Sequence, residues 1–89
     1  MNIKQDPNLF IFHLPNLWTE EDLIQHFSPF GRIISAKIIK DPITGKTKGF
    51  GFVSYTNELS AYGAIKTMNG FRVQGKKLKV ELKKKKNAD

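Results

Sequence analysis

The sequence predicts an α+β sandwich, a four-stranded antiparallel sheet with two helices on one face and the other face left to solvent. Three observations carry that expectation. Strand-like and helix-like segments follow one another in the order β-α-β-β-α-β. The strand-like segments are β-branched or aromatic, and the third and last of them alternate apolar and polar residues. A chain of 89 residues is also one small domain, able to bury about 60% of its unfolded surface and to fold alone, with no second domain to seek.

Leu9-Phe10-Ile11-Phe12-His13-Leu14 stops at Pro15-Asn16 and reads as a first strand ended by a turn. Thr19 then offers an N-cap, with Asp22 completing a T-x-x-D capping box and Trp18 placed to close on Leu23 as a hydrophobic staple. Leu23, Phe27 and Phe30 recur at helical spacing until Pro29 and Gly31 intervene, giving a helix over about residues 20–28. Ile33 to Lys40 carries strand residues, and the turn formers of Asp41-Pro42-Ile43-Thr44-Gly45-Lys46 make a long hairpin loop. Lys48 to Tyr55 is the third strand. Ala61, Ala64, Ile65 and Met68 mark one face of a second helix that ends at Asn69-Gly70, with Gly63 weakening its interior. Phe71 to Val73 is a candidate short strand, Gly75 turns the chain, and Leu78, Val80 and Leu82 alternate with charged residues in the last strand. This is the order of the ferredoxin-like split βαβ arrangement.

Composition narrows the function. With 39% hydrophobic and 26% charged residues the chain has a globular make-up, and no apolar stretch approaches the roughly 20 residues that span a bilayer. Residues 1–7 lack the apolar run of a secretory signal and there is no cysteine, so an intracellular location is expected. The net charge of +7 and pI near 9.8 suit a polyanionic partner. Most of that charge is local: residues 76–89 hold seven lysines against Glu81 and Asp89, and the first 75 residues contribute only +2. From charge alone, Lys83 to Lys86 read equally as a solubility tail or as phosphate contacts.

Side-chain parity sharpens the picture, because successive strand residues point to opposite faces. If Gly51, Val53 and Tyr55 face the helices, Lys48, Phe50 and Phe52 project from the open face. Leu9 and Ile11 likewise go inward and place Phe10 and Phe12 outward. An exposed apolar patch of four phenylalanines normally marks a binding surface. By the same parity Lys37 and Ile39 flank it from the second strand, and Lys79 and Lys83 from the last. Flat rings offer stacking faces to unpaired bases and ammonium groups reach phosphates, which suits single-stranded nucleic acid.

Lys48-Gly49-Phe50-Gly51-Phe52-Val53-Ser54-Tyr55 fits the RNP1 octamer of the RNA-recognition-motif (RRM) family at every defined position, and Leu9 to Leu14 resembles its RNP2 hexamer. The departure is His13, where that family more often has Asn; His13 reads as a hydrogen-bonder that fixes the loop. The resemblance covers about residues 7–83 and implies an N-terminal extension over 1–7, a domain over 8–83 and a basic tail over 84–89. It further implies a domain, monomeric within a longer multi-RRM protein, that binds single-stranded RNA and needs no cofactor. Within the family the chain is most similar to the third RRM of Bruno-like/CELF (CUG-binding) proteins, through Asn8 to Pro15, Gly49 to Tyr55 and Met68-Asn69-Gly70-Phe71. That similarity implies U- and G-rich RNA with UGU-type elements, control of messenger-RNA splicing, translation or decay, and residence in nucleus or cytoplasm. Base edges would meet the last strand and its flanks at Lys79, Glu81 and Lys83, while Lys84 and Lys85 follow the phosphate backbone.

Rival readings have specific requirements. Placing Phe50 and Phe52 in the core would turn Val53 and Tyr55 to water. An RRM that binds protein instead would have lost the ring-and-lysine set, which is intact here. Acylphosphatases share the element order, but their anion cradle needs an arginine after the first strand, and His13 to Leu17 has none. Neither histidine has a partner at metal spacing, so no enzyme is expected. For Trp18 the staple explains more than a base contact does, and Phe71 fits either a structural or a binding role.

Overall fold

The computed structural model describes residues 7–83. Its elements are β1 (Asn8–Phe12), α1 (Glu20–Phe27), β2 (Ile33–Lys40), β3 (Thr47–Tyr55), α2 (Glu58–Met68), a hairpin of β4 (Arg72–Val73) and β5 (Lys76–Lys77), and β6 (Lys79–Leu82). The expected α+β order is present. Four strands form one antiparallel sheet in the order β2-β3-β1-β6, so the two aromatic strands are central neighbours.

Burial follows the two-residue period. Leu9, Ile11, Val53, Tyr55, Ile38 and Val80 turn inward and meet Leu23 and Phe27 of α1 and Ala61, Ala64 and Met68 of α2 in one core. Gly51 shares that inward face where β3 runs close to β2: a Cβ there would stand 2.3 Å from the carbonyl oxygen of Lys37. Only glycine permits this approach. Tyr55 is fully buried and its hydroxyl donates to the Phe27 carbonyl at 2.5 Å, tying β3 to the end of α1. Burial pushes its phenol well above the ordinary tyrosine range.

The capping box forms as expected: the Thr19 side chain accepts from the Asp22 amide and the Asp22 carboxylate from the Thr19 amide. The helix stops at Phe27, one residue early, and Phe30 is reached through a single 3-10 turn, Ser28–Phe30, at Pro29. Trp18 and Leu23 both join the core, but the ring that the indole packs against is His26, at 4.4 Å between centroids. Helix α2 runs unbroken through Gly63, because its buried Ala61, Ala64 and Met68 stripe holds it against the sheet. Pro7, read as part of an extension, already accepts from the Tyr55 amide at 3.0 Å.

Both sheet edges carry a side-chain acceptor. At β2 the Glu20 carboxylate accepts from the Ile38 amide at 3.1 Å, and at β6 the Asn69 side chain accepts from the Val80 amide at 2.9 Å. Each uses an edge N–H that would otherwise be open to another strand.

Candidate functional site

The face opposite the helices is built in rows by the strand register. Phe10 lies opposite Phe52 and Phe12 opposite Phe50 across β1 and β3. On β6, Glu81 is the partner of Phe10 and Lys79 of Phe12; on β2, Lys37 is the partner of Phe52. One row therefore reads Lys37, Phe52, Phe10, Glu81. The next holds Phe50, Phe12 and Lys79, with Ile39 two residues beyond Lys37 and partly buried.

The four rings make a continuous platform. Centroids lie 4.9 Å apart for Phe10 and Phe52, 5.8 Å for Phe10 and Phe12, and 6.0 Å for Phe12 and Phe50, with tilts of 34–43°. All four are partly exposed, whereas their inward neighbours Leu9, Ile11 and Val53 are fully buried. Cations stand over the rings: Lys79 Nζ is 5.9 Å from the Phe12 centroid and Lys83 Nζ 5.9 Å from that of Phe52. At such distances an ammonium is held by the ring quadrupole and stays available to a phosphate.

The structure thus brings together Phe10, Phe12, Phe50, Phe52, Lys37, Lys79, Glu81 and Lys83. Lys48 is exposed on the same strand. Gly49 adopts φ +86°, and the β2–β3 register shifts by two residues between the Ile38–Gly51 and Lys40–Thr47 pairs. That bulge re-aims the strand end. Lys84 and Lys85 lie outside the described residues, as does the rest of the basic tail.

His13 takes φ +67° and its Nδ1–H donates to the Lys77 carbonyl at 3.2 Å, fixing the end of β1 to the hairpin. Trp18 is buried, and Phe71 faces His26 of α1 at 6.5 Å, so neither joins the platform. Sequence reasoning passed over Asn8, Ser35 and Ser54, which with Lys37, Phe52 and Lys83 line a depression at the platform's end. Parity could have found them, since Ser54 and Asn8 lie two residues from Phe52 and Phe10. Among the described residues no group of three or more His, Cys, Asp or Glu side chains is placed to hold a metal.

Comparison with known proteins gives a consistent result. Residues 9–79 match the model of the RNA recognition motif family. The Sex-lethal RNA recognition domains 1 and 2 of Drosophila melanogaster superpose with a TM-score of 0.86 at 35% identity, over 90% of this chain and 51% of that one. A Sxl-lethal protein/RNA complex gives 0.87 at 34%, over 93% and 50%. The Rna15 RRM with bound RNA (GU) gives 0.82 at 25%, over 94% and 89%. The chain spans about half the length of the two Sex-lethal chains.

Proposed function

This chain belongs to the RNA recognition motif family, and from that premise we propose that it binds single-stranded RNA by stacking unpaired bases on its four-phenylalanine platform. The observation that carries the reading is the platform itself, rings 4.9–6.0 Å apart on a face without helices and flanked by Lys37, Lys79 and Lys83. Aromatic faces accept any unpaired base, while bases paired in a duplex cannot reach them. Similar chains were solved with RNA, one of them with GU. The domain is a binding module and not a catalyst.

The preferred ligand is U- and G-rich RNA with UGU-type elements, as the similarity to the third CELF RRM implies. Glu81, directly opposite Phe10, supports guanine, because a carboxylate accepts the N–H donors of that base's pairing edge. Lys48, Lys84 and Lys85 act on the phosphate backbone. In this reading the domain acts as a monomer within a longer protein of several such domains, controls splicing, translation or decay of messenger RNA, and works in the nucleus, the cytoplasm or both.

Fluorescence anisotropy with U/G-rich, A-rich, C-rich and duplex RNAs at one fixed salt concentration tests the proposal, since affinities at different salt are not comparable. The U/G-rich strand binds tightest and the duplex weakest. Equal affinity for all single strands would remove the CELF-like assignment, and tighter binding of the duplex would remove the stacking mechanism.

A further inference from the structure

Beyond the aromatic platform the open face changes chemistry. Asn8 pairs with Ser54 and Ser54 with Ser35 across β1, β3 and β2, and the Lys83 amide donates to the Asn8 carbonyl at 2.9 Å. This polar row crosses the whole sheet. With Lys37 and Phe52 it encloses one depression. At its floor the Ser54 hydroxyl donates to the side-chain carbonyl of Asn8, which holds both in place. Lys83 Nζ stands over the Phe52 ring from one side, and Lys37 is the register partner of Phe52 on the other.

Among the described residues the lining holds two ammonium groups and the exposed Ser35 hydroxyl, and no carboxylate. Hydrogen-bond donors therefore outweigh acceptors, because an ammonium cannot accept. The depression at the opposite end, lined by Phe10, Phe12, Glu81 and Leu82, carries a carboxylate instead. The two depressions thus differ in the groups that line them.

Same-face positions along a strand are about 7 Å apart, so a base resting on Phe52 extends one edge over the polar row. We infer that the depression formed by Ser35, Lys37, Phe52 and Lys83 is a base-reading subsite for an edge bearing carbonyl oxygens, that of uracil or guanine. It rejects the exocyclic amine that cytosine or adenine presents, which would face positive charge with its donors unpaired. This rests on the RNA-binding reading and assigns to particular residues a selectivity that reading drew from resemblance.

Hexauridylate and its six single-cytidine variants, titrated by anisotropy at one salt concentration with the full chain, test the inference. Uracil and cytosine share one ring and differ at position 4, where a carbonyl is exchanged for an amine, and at the adjoining N3, which loses its N–H. One position should show a cytidine penalty of about tenfold, the size of a single good base contact. At that position guanosine should be tolerated better than adenosine. In the double variant Ser35→Ala/Lys37→Gln the cytidine penalty should fall to about twofold or less, since glutamine supplies an acceptor. Both side chains are exposed, so the melting temperature should not move. Phe10→Ala should weaken every hexamer and keep the penalty. An unchanged penalty in the double variant, adenosine tolerated as well as uridine, or no position that distinguishes cytidine overturns the subsite and spares RNA binding. Failure of the unmodified chain to bind any single strand overturns both.

Discussion

At the residue scale, parity separates side chains that hold the fold from the open-face side chains proposed to meet RNA, and the two sets should answer differently to mutation. Phe10, Phe50 and Phe52 stand outside the core while Leu9, Ile11 and Val53 are fully buried. Each Phe→Ala change should therefore weaken RNA binding by about 1–3 kcal/mol with little change in melting temperature, read by RNA titration beside thermal unfolding. A collapse of the melting temperature with binding intact would reverse the assignment. Tyr55 lies in the other set. Its phenol is pushed up in the folded chain, so its contribution is complete below the unfolded value near 10 and is lost as pH rises above it, where the unfolded state ionises first. Tyr55→Phe removes the bond to the Phe27 carbonyl and should cost about 1 kcal/mol at neutral pH. That cost should shrink by about 1 kcal/mol between about pH 10 and 11, in paired denaturant melts. A difference that stays constant across that interval would deny the shift.

At the element scale, glycine has opposite meanings in β3 and α2. Gly51→Ala would drive a Cβ into the Lys37 carbonyl and should open the β2–β3 pairing, with loss of several kcal/mol or of folding. Gly63 sits in regular helix, and a Cβ there meets only Phe30 Cδ1 at 3.9 Å, an ordinary contact. Gly63→Ala should stabilise the chain by about 0.5–1 kcal/mol, raising the melting temperature by several degrees. A lowered melting temperature would mean that Phe30 cannot accommodate the methyl. The periodicity of Ala61, Ala64 and Met68 made α2 legible in spite of Gly63. The 3-10 turn at Ser28–Phe30 was not legible, because Leu23, Phe27 and Phe30 satisfy helical spacing whether or not the last turn tightens.

Over the molecule as a whole, the charge and the sheet act together. Phosphate contacts position an RNA without choosing its sequence, so removing residues 84–89 should weaken all strands about equally. The slope of log K against log salt should shrink by roughly 0.7 for each phosphate that the truncated chain no longer neutralises. An unchanged slope would leave those lysines as a solubility tail. Sequence selection would then belong to the face itself, where Glu81 and the Ser35–Lys37 pair stand at opposite ends of the rings.

Local pattern along the chain specified the element order, the inward and outward sets of β1 and β3, and the four rings and most of the cations of the candidate site. These follow from periods of two and 3.6 residues and from capping chemistry, which a chain carries along its own length. Whatever depends on residues far apart in the chain was decided by the folded arrangement. Strand order made Phe10 and Phe52 neighbours, and the left-handed Gly49 with the register shift beside it shaped the start of β3. Trp18 settled on His26, and Asn8, Ser35 and Ser54 were joined into one polar row. Register across strands is settled when the apolar faces of different strands are buried together, and the pattern of one strand alone does not choose its partner.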